Sequence, residues 1–159
     1  MAEELHAHEM RESESREVRY PDHPPRTESE LYRRTHKHLT HELNLPCLVC
    51  GKRQPETVTE THHYYVEWAA MAAVDWIRFG ELAQNFYNPQ TGVNVGMAFD
   101  WTEVRRDPSI FVDSAYNMVV LCAEHHRSST YGIHHVPVPE WLLQAYPLNG
   151  FQFLEPEGK

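Results

Sequence analysis

A small α+β fold is predicted by three observations. Apolar residues recur at helical spacing over 28–44 and 64–87, and two short Thr/Val-rich runs end at His63 and Cys122. Two turns that hold metal-ligand residue types adjoin those runs, Cys47-Leu48-Val49-Cys50 before the first and Cys122-Ala123-Glu124-His125 at the end of the second. Together they use every cysteine in the chain. Each places two soft donors at the spacing that lets a tight turn aim both at one ion, and two such turns complete a tetrahedral zinc shell. Cys47, Cys50, Cys122 and His125 are therefore the expected ligands of a structural zinc. A redox pair would open a helix after a strand, whereas Pro46 and Gly51 frame a turn here. An ion joining such distant residues couples metal binding to folding.

The elements follow in order. Residues 1–26 alternate Glu, Arg, Ser and His and carry almost no apolar side chains, so they cannot bury enough surface to offset chain entropy and are predicted as a mobile polar tail. A single domain is expected over 27–159. Its first helix spans 28–44 with Thr27 or Ser29 as N-cap, packs through Leu31, Thr35, Leu39 and Leu43, and leaves His36, His38 and His41 in solvent. Pro46 ends that helix. The run 56–63 is expected to form a strand closed by His62 and His63. A long buried helix is expected over 64–87, with Val66, Ala69, Ala70, Ala73, Val74, Ile77 and Leu82 as its apolar face and Asn88-Pro89 as its stop. Residues 93–111 are ambiguous. A second strand over 117–122 enters the second turn, and 123–129 turns into a helix carrying His125 and His126. The segment 132–139 is expected to be extended, with a last short helix over 140–146.

Composition limits the partners. The chain has 159 residues, 41% hydrophobic content and a net charge of −9, and from Cys47 onward it holds 13 acidic against 7 basic side chains. That balance weighs against tight binding of long DNA, which relies on clustered Lys and Arg, and leaves room for a protein partner. Lys52-Arg53, and Arg105-Arg106 with Arg127, are the local exceptions. No apolar run is long enough for a signal peptide or a membrane span. An odd cysteine count, with two in a CxxC, points to the cytoplasm rather than to a disulfide-built secreted protein.

Taken in order, CLVC, ETHH, Asn117 and LCAEHH resemble the HNH endonucleases, the His-Me finger or ββα-metal superfamily, in its zinc-stapled form. The resemblance covers Cys47 to about Arg127, interrupted by a long insertion at about 64–115. It implies a small ββα-metal core and a metal-dependent endonuclease that hydrolyses DNA phosphodiester bonds. In that scheme His62 and His126 hold a catalytic divalent ion such as Mg or Mn, His63 is the general base, and Asn117 orients His63. Adjacent strand residues point to opposite faces, so the two histidines of the pair take different tasks. His125 replaces the family's usual fourth cysteine, a substitution zinc accepts. A third catalytic ligand would fall at Thr130, a poor donor. His134 or His135 is the alternative source of that contact or of a phosphate contact, unless both are plain imidazoles beside a proline-rich turn. Glu67, Asp75, Trp68 and Trp76 of the insertion either line the site, form a partner surface or belong to the solvated face and core. A second function is therefore carried alongside the first: a scaffold without nuclease activity that binds or inhibits another protein. A third is a zinc enzyme acting on a small phosphorylated substrate.

Overall fold

In the computed structural model, which describes residues 20–136 and Trp141, helix α1 (Glu30–Lys37) begins at Ser29, whose hydroxyl accepts from the Tyr32 N–H at 2.9 Å. The helix widens into a π-helical turn over His38–Glu42, closed by the Leu43 N–H on His38 O at 2.9 Å. Thr35, Leu39 and Thr40 are buried on its inner face. Leu43, expected on the same stripe, is 48% exposed, because the wider turn shifts the phase of the last residues. Of the expected tail, residues 1–19 lie outside the described residues. Residues 20–26 form coil, in which the His23 ring meets Trp68 edge-on at 4.9 Å and Arg26 lies 4.8 Å over the Tyr32 ring.

Strands β1 (Thr59–His63) and β2 (Met118–Cys122) pair antiparallel, with Thr59 opposite Cys122 and His63 opposite Met118. Strand alternation divides their side chains between two cores. Val119 and Leu121 pack with Cys47, Cys122, Val136 and Trp141, whereas Met118 and Val120 pack with Leu39 of the α1 extension. The whole of β2 is buried, so its β-branched run fills both faces.

The connection between the strands builds an apolar core of its own. The single long helix expected over 64–87 is not formed. A 3-10 segment (Trp68–Ala73) is followed by α2 (Trp76–Ala83), separated by Val74 and Asp75 in extended conformation. Asp75 accepts from the Arg78 N–H at 3.2 Å and so caps a new helix rather than continuing an old one. The alanine-rich stretch before it has helical spacing but little side-chain surface to bury. Ile77 and Leu82, expected inside, are exposed. Helices α3 (Trp101–Arg106) and α4 (Ser109–Val112) resolve the ambiguous region. Trp76, Phe79, Phe86, Phe99, Trp101 and Phe111 form a mesh of edge-to-face and tilted ring contacts around Val66, Val95 and Val104. Asn88, fully buried, ties this unit to the sheet by donating from Nδ2 to Met118 O at 2.8 Å.

Helix α5 (Ala123–Arg127) follows β2 directly. The extended run expected over 132–139 folds instead as turns as far as Val136, with His135 and Val136 N–H groups donating to Gly132 O at 2.9 and 3.2 Å. Gly132 fits because a Cβ there would stand 2.5 Å from Ser128 O. Residues 137–140 and the last helix expected over 140–146 lie outside the described residues, apart from Trp141, whose indole N–H donates to His125 O at 3.3 Å. Among the described residues no helix is long and apolar enough to cross a membrane.

Candidate metal centre

The first turn is a closed loop: the Gly51 N–H donates to Cys47 O at 2.9 Å and the Cys47 N–H to Lys52 O at 2.7 Å. Gly51 has φ +74°, the left-handed conformation that glycine adopts without a steric cost. The Leu48 N–H then bonds Val120 O at 2.9 Å and docks the turn on β2. Cys122 ends that strand and His125 sits within α5. All four donor atoms lie within 4.8 Å of one another.

Their separations fit one tetrahedral ion. Cys50 Sγ and Cys122 Sγ are 3.9 Å apart, Cys47 Sγ and His125 Nδ1 3.8 Å, and Cys122 Sγ and His125 Nδ1 3.1 Å. At zinc bond lengths a tetrahedral shell spaces sulfur pairs by about 3.8 Å and sulfur–nitrogen pairs by about 3.6 Å. The charges point the same way. Hydrogen bonding from the Cys122 thiol holds Cys47 well below the usual thiol range, while Cys122 is raised by its contact with Cys47 and Cys50 is raised by burial. Three neighbouring thiols cannot all ionise by themselves, and a dication at their centre removes that conflict. A Cys3His group compatible with zinc is present.

A second group gathers around His62, whose strand partner Val119 packs with Cys47 and Cys122. Glu60 and His62 share one strand face and Thr61 and His63 the other, so the pair diverges. The His62 ring centroid lies 5.2 Å from that of His126 and 4.7 Å from that of His134, and donor atoms of the three imidazoles lie within 4.8 Å of one another. His134 reaches the cluster because the loop after α5 folds back, with the Ile133 N–H on His125 O at 3.0 Å. His134 Nε2 and His126 Nε2 stand 3.1 Å apart, close to the roughly 3.3 Å between nitrogen ligands of one tetrahedral ion. Burial, opposed by Glu67 and aided by His134 and His126, holds His62 down to about 3. Its ring is thus a neutral lone-pair donor at neutral pH. Glu60 accepts from His126 Nδ1 at 2.6 Å and from Arg127 at 2.7 Å, which turns the His126 Nε2 lone pair into the cluster. His134 is exposed and His62 and His126 are largely covered, so the group is open on one side.

His63 faces the opposite way and is 4% exposed. Its Nε2 meets Asp113 Oδ1 at 3.1 Å, and Asp113 Oδ2 accepts from Ser29 Oγ at 2.6 Å, linking the α1 N-cap to the imidazole. Its Nδ1 stands 3.6 Å from Glu67 Oε2. Burial by itself would lower the His63 pKa, but Asp113 and Glu67 outweigh it and the net shift is upward.

Asn117 does not orient His63 with its side chain. That side chain is fully buried, accepts from the Tyr65 and Val66 N–H groups at 3.0 and 3.1 Å, and donates to Val66 O and Val112 O at 2.9 Å each. It clamps the backbone that leaves β1. The partner of His63 is Asp113, 50 residues away along the chain, for which the sequence offers no periodic signal. Glu60 was visible in principle, since it lies two residues before His62 on one strand face. His135 falls in neither donor group, and Thr130 uses its N–H on Ser128 Oγ at 3.2 Å. Of the insertion residues, Glu67 reaches the site, whereas Asp75 caps α2 and Trp76 is core. Asn117→Ala leaves several buried backbone groups without partners and is expected to cost about 2–4 kcal/mol, read as a lower urea midpoint in zinc-loaded protein.

No family model, curated protein or solved structure matches the chain.

Proposed function

We propose that the chain is a metal-dependent phosphodiester hydrolase of the HNH type acting on DNA, with its zinc-stapled ββα core formed by β1, β2 and α5. The observation that carries this reading is the pairing of a closed Cys3His group with an open group of three imidazoles, the division of labour between structural and catalytic ions. His62, His126 and His134 hold the catalytic ion. When bound, a divalent ion offsets the charge that develops on phosphate oxygens. The His63 Nε2 proton is fixed on Asp113, which in the neutral ring leaves the lone pair on Nδ1 as the atom that accepts a proton from an attacking water. Asp113 replaces Asn117 as the group that orients His63.

A second reading, a zinc scaffold that binds or inhibits another protein without hydrolysing DNA, is favoured by the depth of His63 and by the net charge of −9. Supercoiled plasmid separates the two. Zinc-loaded protein supplied with Mn, Co or Ni is expected to nick it. Intact plasmid with every ion, despite occupancy of the three-imidazole group, rejects the nuclease and leaves the binding scaffold.

A further inference from the structure

A fourth side chain stands at the edge of the open group, against His62 but outside the set of donor atoms that lie within 4.8 Å of one another. Glu67 Oε1 lies 3.3 Å from His62 Nε2, while Oε2 lies 3.6 Å from His63 Nδ1. One carboxylate therefore spans both members of the histidine pair, although they leave the strand on opposite faces. Its position follows from the Asn117 clamp, which fixes the Tyr65 and Val66 backbone immediately before it. Glu67 has extended backbone at the start of the 3-10 segment and makes no side-chain capping bond there, so its carboxylate turns back over the end of β1. The side chain is 41% exposed.

We propose that Glu67 is the oxygen ligand that completes the group of His62, His126 and His134, giving a three-nitrogen, one-oxygen site selective for zinc, cobalt or nickel over magnesium. This rests on the metal-dependent reading above and deepens it. The 3.3 Å separation of Oε1 from His62 Nε2 matches the roughly 3.3 Å expected between a carboxylate oxygen and an imidazole nitrogen on one tetrahedral ion. Imidazole suits late first-row ions, whereas magnesium demands near-octahedral oxygen ligation and gives up its water reluctantly. A surface ion pair explains the Glu67 contacts less well, because such a pair has no reason to span two histidines beside a third and a fourth.

Cobalt(II) titrated into protein whose Cys3His site already holds zinc tests this by calorimetry and visible absorption, without an activity assay. The parent is expected to bind one further cobalt. His62→Ala removes that binding, and Glu67→Gln and Glu67→Asp each weaken it by about tenfold or more, the shorter acid failing because it keeps the charge but not the reach. Millimolar magnesium is expected not to displace the cobalt. Cobalt affinity within twofold of the parent in both Glu67 variants, with His62→Ala still abolishing binding, overturns the assignment of Glu67 and leaves the three-imidazole site standing. Magnesium that competes overturns the selectivity. A parent that takes up no second ion overturns this inference together with the metal-dependent reading on which it rests.

Discussion

Cys122→Ser is expected to abolish cooperative folding of the zinc-stapled core rather than merely weaken it. Cys122 is the last residue of the buried strand β2, pairs with Thr59 of β1, and is the N-cap residue of α5. Its sulfur lies 3.9 Å from Cys50 Sγ, 72 residues away, so one ligand set closes almost half of the chain into a loop. Structural zinc in small domains contributes about 10–16 kcal/mol of apparent binding free energy, as large as the whole stability of a typical domain at about 5–15 kcal/mol. Losing one thiolate therefore removes most of what holds the core. Cys50→Ser is expected to do the same despite the exposure of Cys50, and that outcome distinguishes a ligand from a surface thiol. Circular dichroism melts with zinc released to a colorimetric chelator read this out. An unchanged melting temperature and full zinc content in either variant refutes the structural site.

His63→Ala is expected to lower plasmid nicking by about 10²–10⁴-fold, the usual contribution of a general base, while zinc content and fold persist. The pH dependence carries a sign that a purely structural histidine lacks. A base must be neutral to accept a proton, and the net pull of Asp113 and Glu67 against burial raises the His63 pKa above its ordinary 6.5. The rate should therefore rise with pH and level off at alkaline pH. Asp113→Asn removes the carboxylate on Nε2, and the acid limb of kcat/KM is expected to move to lower pH. Activity in His63→Ala equal to the parent, or an acid limb that Asp113→Asn leaves in place, takes His63 out of the mechanism.

The Cys3His group was legible because local rules determine it. CxxC after Pro46 and before Gly51 dictates a tight turn whatever surrounds it, and Leu121-Cys122 leading into Glu124-His125 dictates a strand meeting a helix. The divergence of His62 and His63 follows from the strand period alone. Ser29 as N-cap of α1 was similarly readable, since the capping hydroxyl acts within three residues. What escaped is long-range. The run from Val66 to Leu82 has a helical period, yet Glu67, Val74 and Asp75 take extended backbone, because Asn117 clamps the chain ahead of Glu67 and Asp75 caps a fresh helix. Nothing in the spacing of Asn117 announces that its amide goes to the backbone around Val66 instead of to His63. His134 and His135 are indistinguishable neighbours in sequence. The turn closed on Gly132 brings the first to His126 and leaves the second outside the cluster.

In the proposed zinc site one cation shared by Cys47, Cys50, Cys122 and His125 joins the first turn to β2 and α5. X-ray data collected on either side of the zinc absorption edge, from crystals of protein purified without added metal, test it most directly. An anomalous peak about 2.3 Å from each of the three sulfurs and about 2.0 Å from His125 Nδ1 is the predicted result. Absence of a peak there, with the sulfurs apart or two of them oxidised to a disulfide, contradicts it.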